Sequence, residues 1–287
     1  MLSSFQLRWG IEQWVEFLKD KEIPVLPRTK ALMMALHEED SCLLENLSAR
    51  ELTGYVYADP YLSLKLLRQA ERLRTQRLGQ ETTTALAAVL QSGFDELFKV
   101  VSVSCISEES NQGCNECEFR AVMASSIARQ WAMLRSDVSP DEVALAALLS
   151  ECGELLLWHF APELPLKVIA ELSSGRAFRP IKAQTQALGF SFKQMTLTLV
   201  EAWKLPNIIA LLIKGTDTAR ANIARMAVDT ARHIVVNNRH PALPAELVNI
   251  KAVLPEASYA KLIAPLPIPD DYKLHLLQFV EGTSSTT

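Results

Sequence analysis

Between Phe119 and Leu134 the apolar residues Phe119, Val122, Met123, Ile127, Trp131 and Leu134 recur at three- and four-residue intervals. That spacing lines one face of an α-helix and is incompatible with the two-residue period of a strand. The same period returns at Leu86, Val89 and Leu90, and continues at Leu97, Val100 and Val101. Sustained strand alternation is absent, and only 10 Gly occur among 287 residues. The chain is expected to be all-α, with roughly 12 to 14 helices of about 11 residues each.

Local start and stop signals agree with that period. Ser139-Pro140-Asp141-Glu142 supplies an N-cap Ser with Pro at the first helical position, and Ser48-Ala49-Arg50-Glu51 reads as a capping box. Asp59-Pro60 opens a helix predicted to run to about Arg77, and Gly93 reads as a C-cap followed at once by a new helix. Ser107 to Asn115 reads as a polar loop. The expected organisation is an N-terminal helix over 1–22 and a main helical domain over 23–216, in halves of about 23–110 and 116–216. A helical extension follows over 217–287, ending in a disordered tail from Glu281. Within the extension, Ile223, Met226, Ala227, Thr230 and Ile234 give Thr218 to Val236 an apolar face for packing on the core or on a partner helix.

Charge and cysteine content narrow the function classes. The net charge of −4 provides no global field for nucleic acid, so a nucleic-acid partner is disfavoured. Five Cys in a chain of this length do not form a secreted disulfide framework, and a cytoplasmic protein with reduced thiols is expected. The opening MLSSFQLRWGIEQWVEFLKD lacks the features of a signal peptide. The most apolar stretch, Val143 to Phe160, is interrupted by Glu151 and Glu154, so no membrane span is expected.

Five segments, in order, carry a family resemblance: Ile23-Pro24-Val25-Leu26-Pro27; Asp59-Pro60-Tyr61-Leu62-Ser63-Leu64-Lys65-Leu66-Leu67-Arg68; Thr84 through Leu97; Leu148 to Leu155; and Leu188-Gly189-Phe190 with Trp203-Lys204-Leu205-Pro206. Together they resemble the HDOD family, a degenerate branch of the HD-domain phosphohydrolase superfamily found in bacterial signalling proteins. The resemblance covers about Ile23 to Gly215. It implies an HD-domain-like helical bundle in two helical halves. It also implies a signalling or regulatory module working through protein contacts in a bacterial pathway.

The departures bear on chemistry. An HD-type site holds divalent metal with several His and Asp, which activate water and clamp phosphoryl oxygens. Ser150-Glu151 stands at the His-Asp position, Ser191-Phe192 at the later Asp-His position, and Lys214-Gly215 where His-His often follows. No HD, DH or HH dipeptide occurs in the chain. No catalytic residue, metal or cofactor is therefore expected.

Glu151 and Glu154 share a helical face as a residual acid pair or, more simply, as solvated or salt-bridged side chains at a helix edge. They keep open an alternative, a metal-dependent phosphohydrolase with atypical ligands. Cys114-Asn115-Glu116-Cys117 lacks the second pair that a zinc ribbon needs, and reads as two incidental loop thiols. The strongest charge cluster is Lys65, Arg68 and Arg72, with Arg74 and Arg77 beyond. It is a solvated helix face or a site for a nucleotide, another small phosphate ligand or an acidic partner. No aromatic residue interleaves with it to stack bases.

Overall fold

The computed structural model of the protein describes residues 2–38, 48–77, 81–215 and 218–284. Helix dominates, and the described residues pair in extended conformation only at one isolated parallel bridge, Val25 with Ile106. Contacts divide the chain into two compact units, residues 1–118 with 149–210 and residues 119–148 with 211–287. These limits differ from the sequence-based halves, because segment 119–148 groups with the C-terminal residues.

The first unit contains α1 (Ile11–Lys19), α2 (Pro27–Glu38), α3 (Ala49–Tyr57), α4 (Pro60–Arg77), α5 (Ala85–Ser92) and α6 (Phe94–Val103). The start of α7 (Gln112–Ala132) also belongs to it. The signals read from sequence act locally. Ser48 Oγ accepts from Glu51 N–H while Glu51 Oε2 accepts from Ser48 N–H at 2.8 Å, closing the capping box of α3. Gly93, at φ +75°, occupies backbone space that favours glycine and joins α5 directly to α6.

Two of the family-like segments meet at Asp59. Its Oδ2 accepts from Leu26 N–H at 2.8 Å and its Oδ1 from Leu62 N–H at 2.9 Å. One buried carboxylate thus caps α4 and holds the Ile23–Pro27 segment against it. Burial pushes this carboxyl above the usual Asp range, and the N–H donors oppose that shift. Val25 continues the clasp, donating to Cys105 O and accepting from Ser107 N–H, both at 2.9 Å. Behind it, Leu52, Val56, Leu62, Leu66, Val89 and Leu97 belong to one buried apolar cluster.

The same unit also contains α9 (Cys152–Phe160), α10 (Glu163–Ser173), α11 (Pro180–Leu188) and α12 (Phe192–Ala202). Here α9 packs on α12, α10 on α11, and α1 on α12. The expected polar loop ends earlier than its sequence implies, at Asn111, because α7 starts at Gln112. Gly113 is required there, since a Cβ at that position would meet the Trp158 ring at 2.4 Å.

The second unit is built on α8 (Pro140–Leu149), α14 (Ala219–Val236), α15 (Leu243–Val253), α16 (Tyr259–Ile263) and α17 (Asp270–Ser284), with the rest of α7. Between the units in sequence lies α13 (Asn207–Lys214). The apolar face of α14 packs inward: Ile223, Met226, Ala227 and Ile234 join Ile127, Trp131, Leu247 and Leu262 in one core, and Thr230 is buried too. Trp131 Nε1 donates to Leu262 O at 2.9 Å, which ties α7 to α16. Where a disordered tail was expected from Glu281, α17 continues to Ser284. By length and composition alone, Pro140–Phe160 passes as one helix able to cross a membrane, a test that a buried core helix also meets, and 78% of its most apolar 18-residue window is buried within the protein. The helix is interrupted by a turn at Ser150 and Glu151, between α8 and α9.

Candidate functional site

Ser150 and Glu151 lie in the turn that opens α9, and Glu151 is its N-cap residue. Glu151 is 2% exposed, so it is not the solvated edge residue that its spacing allowed. The thiol of Cys117, itself fully buried, approaches the Glu151 carbonyl at 3.8 Å and Oε2 at 4.0 Å. Glu154, one turn on, accepts from Trp158 Nε1 at 3.3 Å. Cys117, Glu151 and Glu154 bring a thiol and two carboxylates within 4.8 Å of one another. Sequence reading found the two glutamates but missed Cys117, because nothing local pairs position 117 with 151.

This donor set does not fit the metal centre of an HD-type hydrolase. It contains no imidazole, and a thiol beside two carboxylates mixes a soft donor with hard ones. Ser191 and Phe192, which the family resemblance would set at a later ligand position, are a capping and a packing residue. Ser191 Oγ accepts from Gln194 N–H at 3.1 Å and Gln194 Oε1 accepts from Ser191 N–H at 2.7 Å, a capping box for α12. Phe192 is a buried core residue of that helix. Lys214 ends α13, and Gly215 follows at φ +80°, both within the second unit.

The turn makes a close helix contact. Gly153 N–H donates to Thr196 Oγ1 at 3.0 Å, and Thr196 Oγ1 lies 3.2 Å from Ser150 O and 3.1 Å from Phe192 O. A Cβ on Gly153 would meet Thr196 N at 2.7 Å and Phe192 O at 2.8 Å. Only a glycine lets α9 approach the backbone of α12 this closely.

The two CxxC cysteines are neither loop residues nor exposed. Cys114 and Cys117 are buried on α7, and Cys114 accepts from Tyr61 Oη at 3.7 Å. Burial raises the Cys114 thiol to about 11 and that of Cys152 to about 12, so both are protonated and unreactive at neutral pH. Next to Cys117, Glu118 is bonded to the Arg28 guanidinium, and burial nonetheless raises its carboxyl above the usual range. His159, half-buried beside Tyr61 and Phe160, has its imidazolium disfavoured by burial.

The basic stripe of α4 divides into structural and open members. Arg74 Nε bonds Glu71 Oε2 at 2.6 Å, and the same buried carboxylate accepts from Thr82 N–H at 2.8 Å. Lys65 Nζ donates to Ile23 O at 3.0 Å and to Ser104 Oγ, and pairs with Glu22 at 2.9 Å. Arg68 Nη2 donates to Lys19 O at 2.8 Å, and its guanidinium lies 4.5 Å above the Trp203 ring. Trp203 Nε1 donates to the same carbonyl at 3.0 Å. The C-terminus of α1 is thereby held by a cation, as its dipole favours. Arg72 is exposed, and the Arg77 side chain lies outside the described residues. Lys65, Arg68 and Arg72 line one groove of about 580 Å³ together with residues 20–23, Gln69, Leu73, Val100 and Val103.

The HDOD domain profile matches residues 24–218. The MmoQ response regulator of Methylococcus capsulatus is similar in structure, with 18% identity and a TM-score of 0.62, over 90% of this chain and 99% of that one. A virulence factor of Campylobacter jejuni is also similar, with 15% identity and a TM-score of 0.69, over 92% of this chain and 98% of the other. At these identities the likeness is one of fold. No curated protein sequence matches the chain.

Proposed function

The chain belongs to the HDOD family, and from that premise we propose that it is a non-catalytic regulatory module acting in the cytoplasm through contacts with protein partners of a bacterial signalling pathway. One observation carries this reading: the residues that the family resemblance would set at the ligand positions take part in capping and packing. Ser191 caps a helix, Phe192 fills the core, and Ser150 and Gly153 meet Thr196 in the α9–α12 contact. Metal-assisted hydrolysis needs a ligand set with open positions and an orienting shell, which these groups do not supply. The response-regulator description of the Methylococcus neighbour fits a signalling role.

A second reading, a metal-dependent phosphohydrolase with atypical ligands, draws on the convergence of Cys117, Glu151 and Glu154. An assay for phosphodiester hydrolysis with Mn²⁺, Fe²⁺ or Zn²⁺ separates the two. The non-catalytic reading expects no turnover above background. Turnover that disappears in Glu151→Ala establishes the second reading instead.

A further inference from the structure

The groove beside α4 combines three features that its helix alone does not explain. It is concave, and its volume of about 580 Å³ falls in the range of small-molecule sites. Its cations outnumber its carboxylates: Lys21, Lys65, Arg68 and Arg72 face Asp20 and Glu22. Glu22 is paired with Lys65, which leaves Asp20 to balance three positive groups.

Arg68 is also held beside a like charge. Arg68 and Arg72 are one helical turn apart, a like-charge pair that is unfavourable even on an open helix. Arg68 cannot swing away without losing its bond to Lys19 O and its stack on Trp203. Desolvation, then the Arg72 charge, weakens proton binding at Arg68. An anion placed between the two guanidinium groups relieves that repulsion and accepts charge-assisted hydrogen bonds. The third feature is an apolar wall. Leu73, Val100 and Val103 line the groove, and Val103 is 73% exposed.

We propose that this groove binds a small organic phosphate of nucleotide size, with the phosphate between Arg68 and Arg72 and the organic part against Val100 and Val103. The concave shape and the adjoining apolar wall favour such a ligand over free inorganic anions. This site is separate from the reading of the protein as a partner-binding module, and either can fail without the other.

Titration calorimetry of the whole protein with AMP, ADP, GDP and pyrophosphate tests it. At least one nucleotide should bind saturably and about tenfold more tightly than pyrophosphate. Arg72→Glu should weaken that nucleotide by about tenfold or more, the loss expected for a charge-assisted contact. Arg72 is exposed, so an unchanged melting temperature without ligand will confirm that this variant folds. Arg72→Gln should weaken binding less, and Val103→Ala should weaken the nucleotide while leaving pyrophosphate unaffected. Three results overturn the proposal: no saturable binding of any nucleotide, affinity unchanged in Arg72→Glu, or pyrophosphate binding as tightly as the nucleotides.

Discussion

The turn around Gly153 and the groove beside α4 belong to the same compact unit, yet their polar groups are arranged in opposite ways. At Gly153, a backbone N–H, a hydroxyl and two carbonyls meet within 3.2 Å, and a Cβ has no room. In the groove, Lys65 and Arg68 are anchored but Arg72 stands exposed beside an open volume. The first region is close packing. The second keeps concentrated charge where a ligand can reach it.

Substitutions should separate the two regions by their effect on stability, measured by denaturant unfolding of each variant. The largest loss is expected at the Asp59 clasp. Asp59→Ala leaves the N–H groups of Leu26 and Leu62 buried without their acceptor and should cost about 3 kcal/mol or more. Gly153→Ala forces α9 off α12 and should cost about 2 kcal/mol, since the contacts it creates are with backbone atoms. Ser191→Ala removes an N-cap and should cost about 1 kcal/mol. Arg72→Glu should fall within about 0.5 kcal/mol of the parent, as for other exposed positions. Should Gly153→Ala prove neutral, the packing account of the motif fails. A large loss in Arg72→Glu would make the groove structural as well.

The acid dependence of stability offers a finer probe of the first unit. Burial lowers the pKa of His159 below its ordinary value of about 6.5. Between those two values the unfolded chain binds a proton that the folded chain does not. Its contribution is thus fully present above about pH 6.5 and declines as pH falls through that window. In His159→Gln this part of the pH dependence should vanish, which the difference between parent and variant unfolding curves will show.

Much of this architecture was legible because it is local. The capping box at Ser48, the start at Pro60 and the Gly93 junction are each set within four residues, and each occurs as read. The polar-to-helical change at Gln112 was hidden because Gly113 and Asn115 look like loop residues. Only the approach of Trp158 explains the glycine. The last helix passed Glu281 despite Gly282 and Ser284, against intrinsic propensity. At the candidate sites, the spacing of Lys65, Arg68 and Arg72 foretold a shared face. It could not foretell that Lys19 and Trp203, from distant segments, fix Arg68 in place. The partner of Glu151, Cys117, was equally out of reach for a reading by neighbours.

The central claim is the proposal that Ser150, Glu151, Ser191 and Phe192 serve the fold and hold no catalytic metal. Elemental analysis of the purified protein beside its Glu151→Ala variant tests it most directly. The account predicts substoichiometric Mn, Fe and Zn in both. One metal ion or more per chain in the parent, lost in the variant, would contradict it.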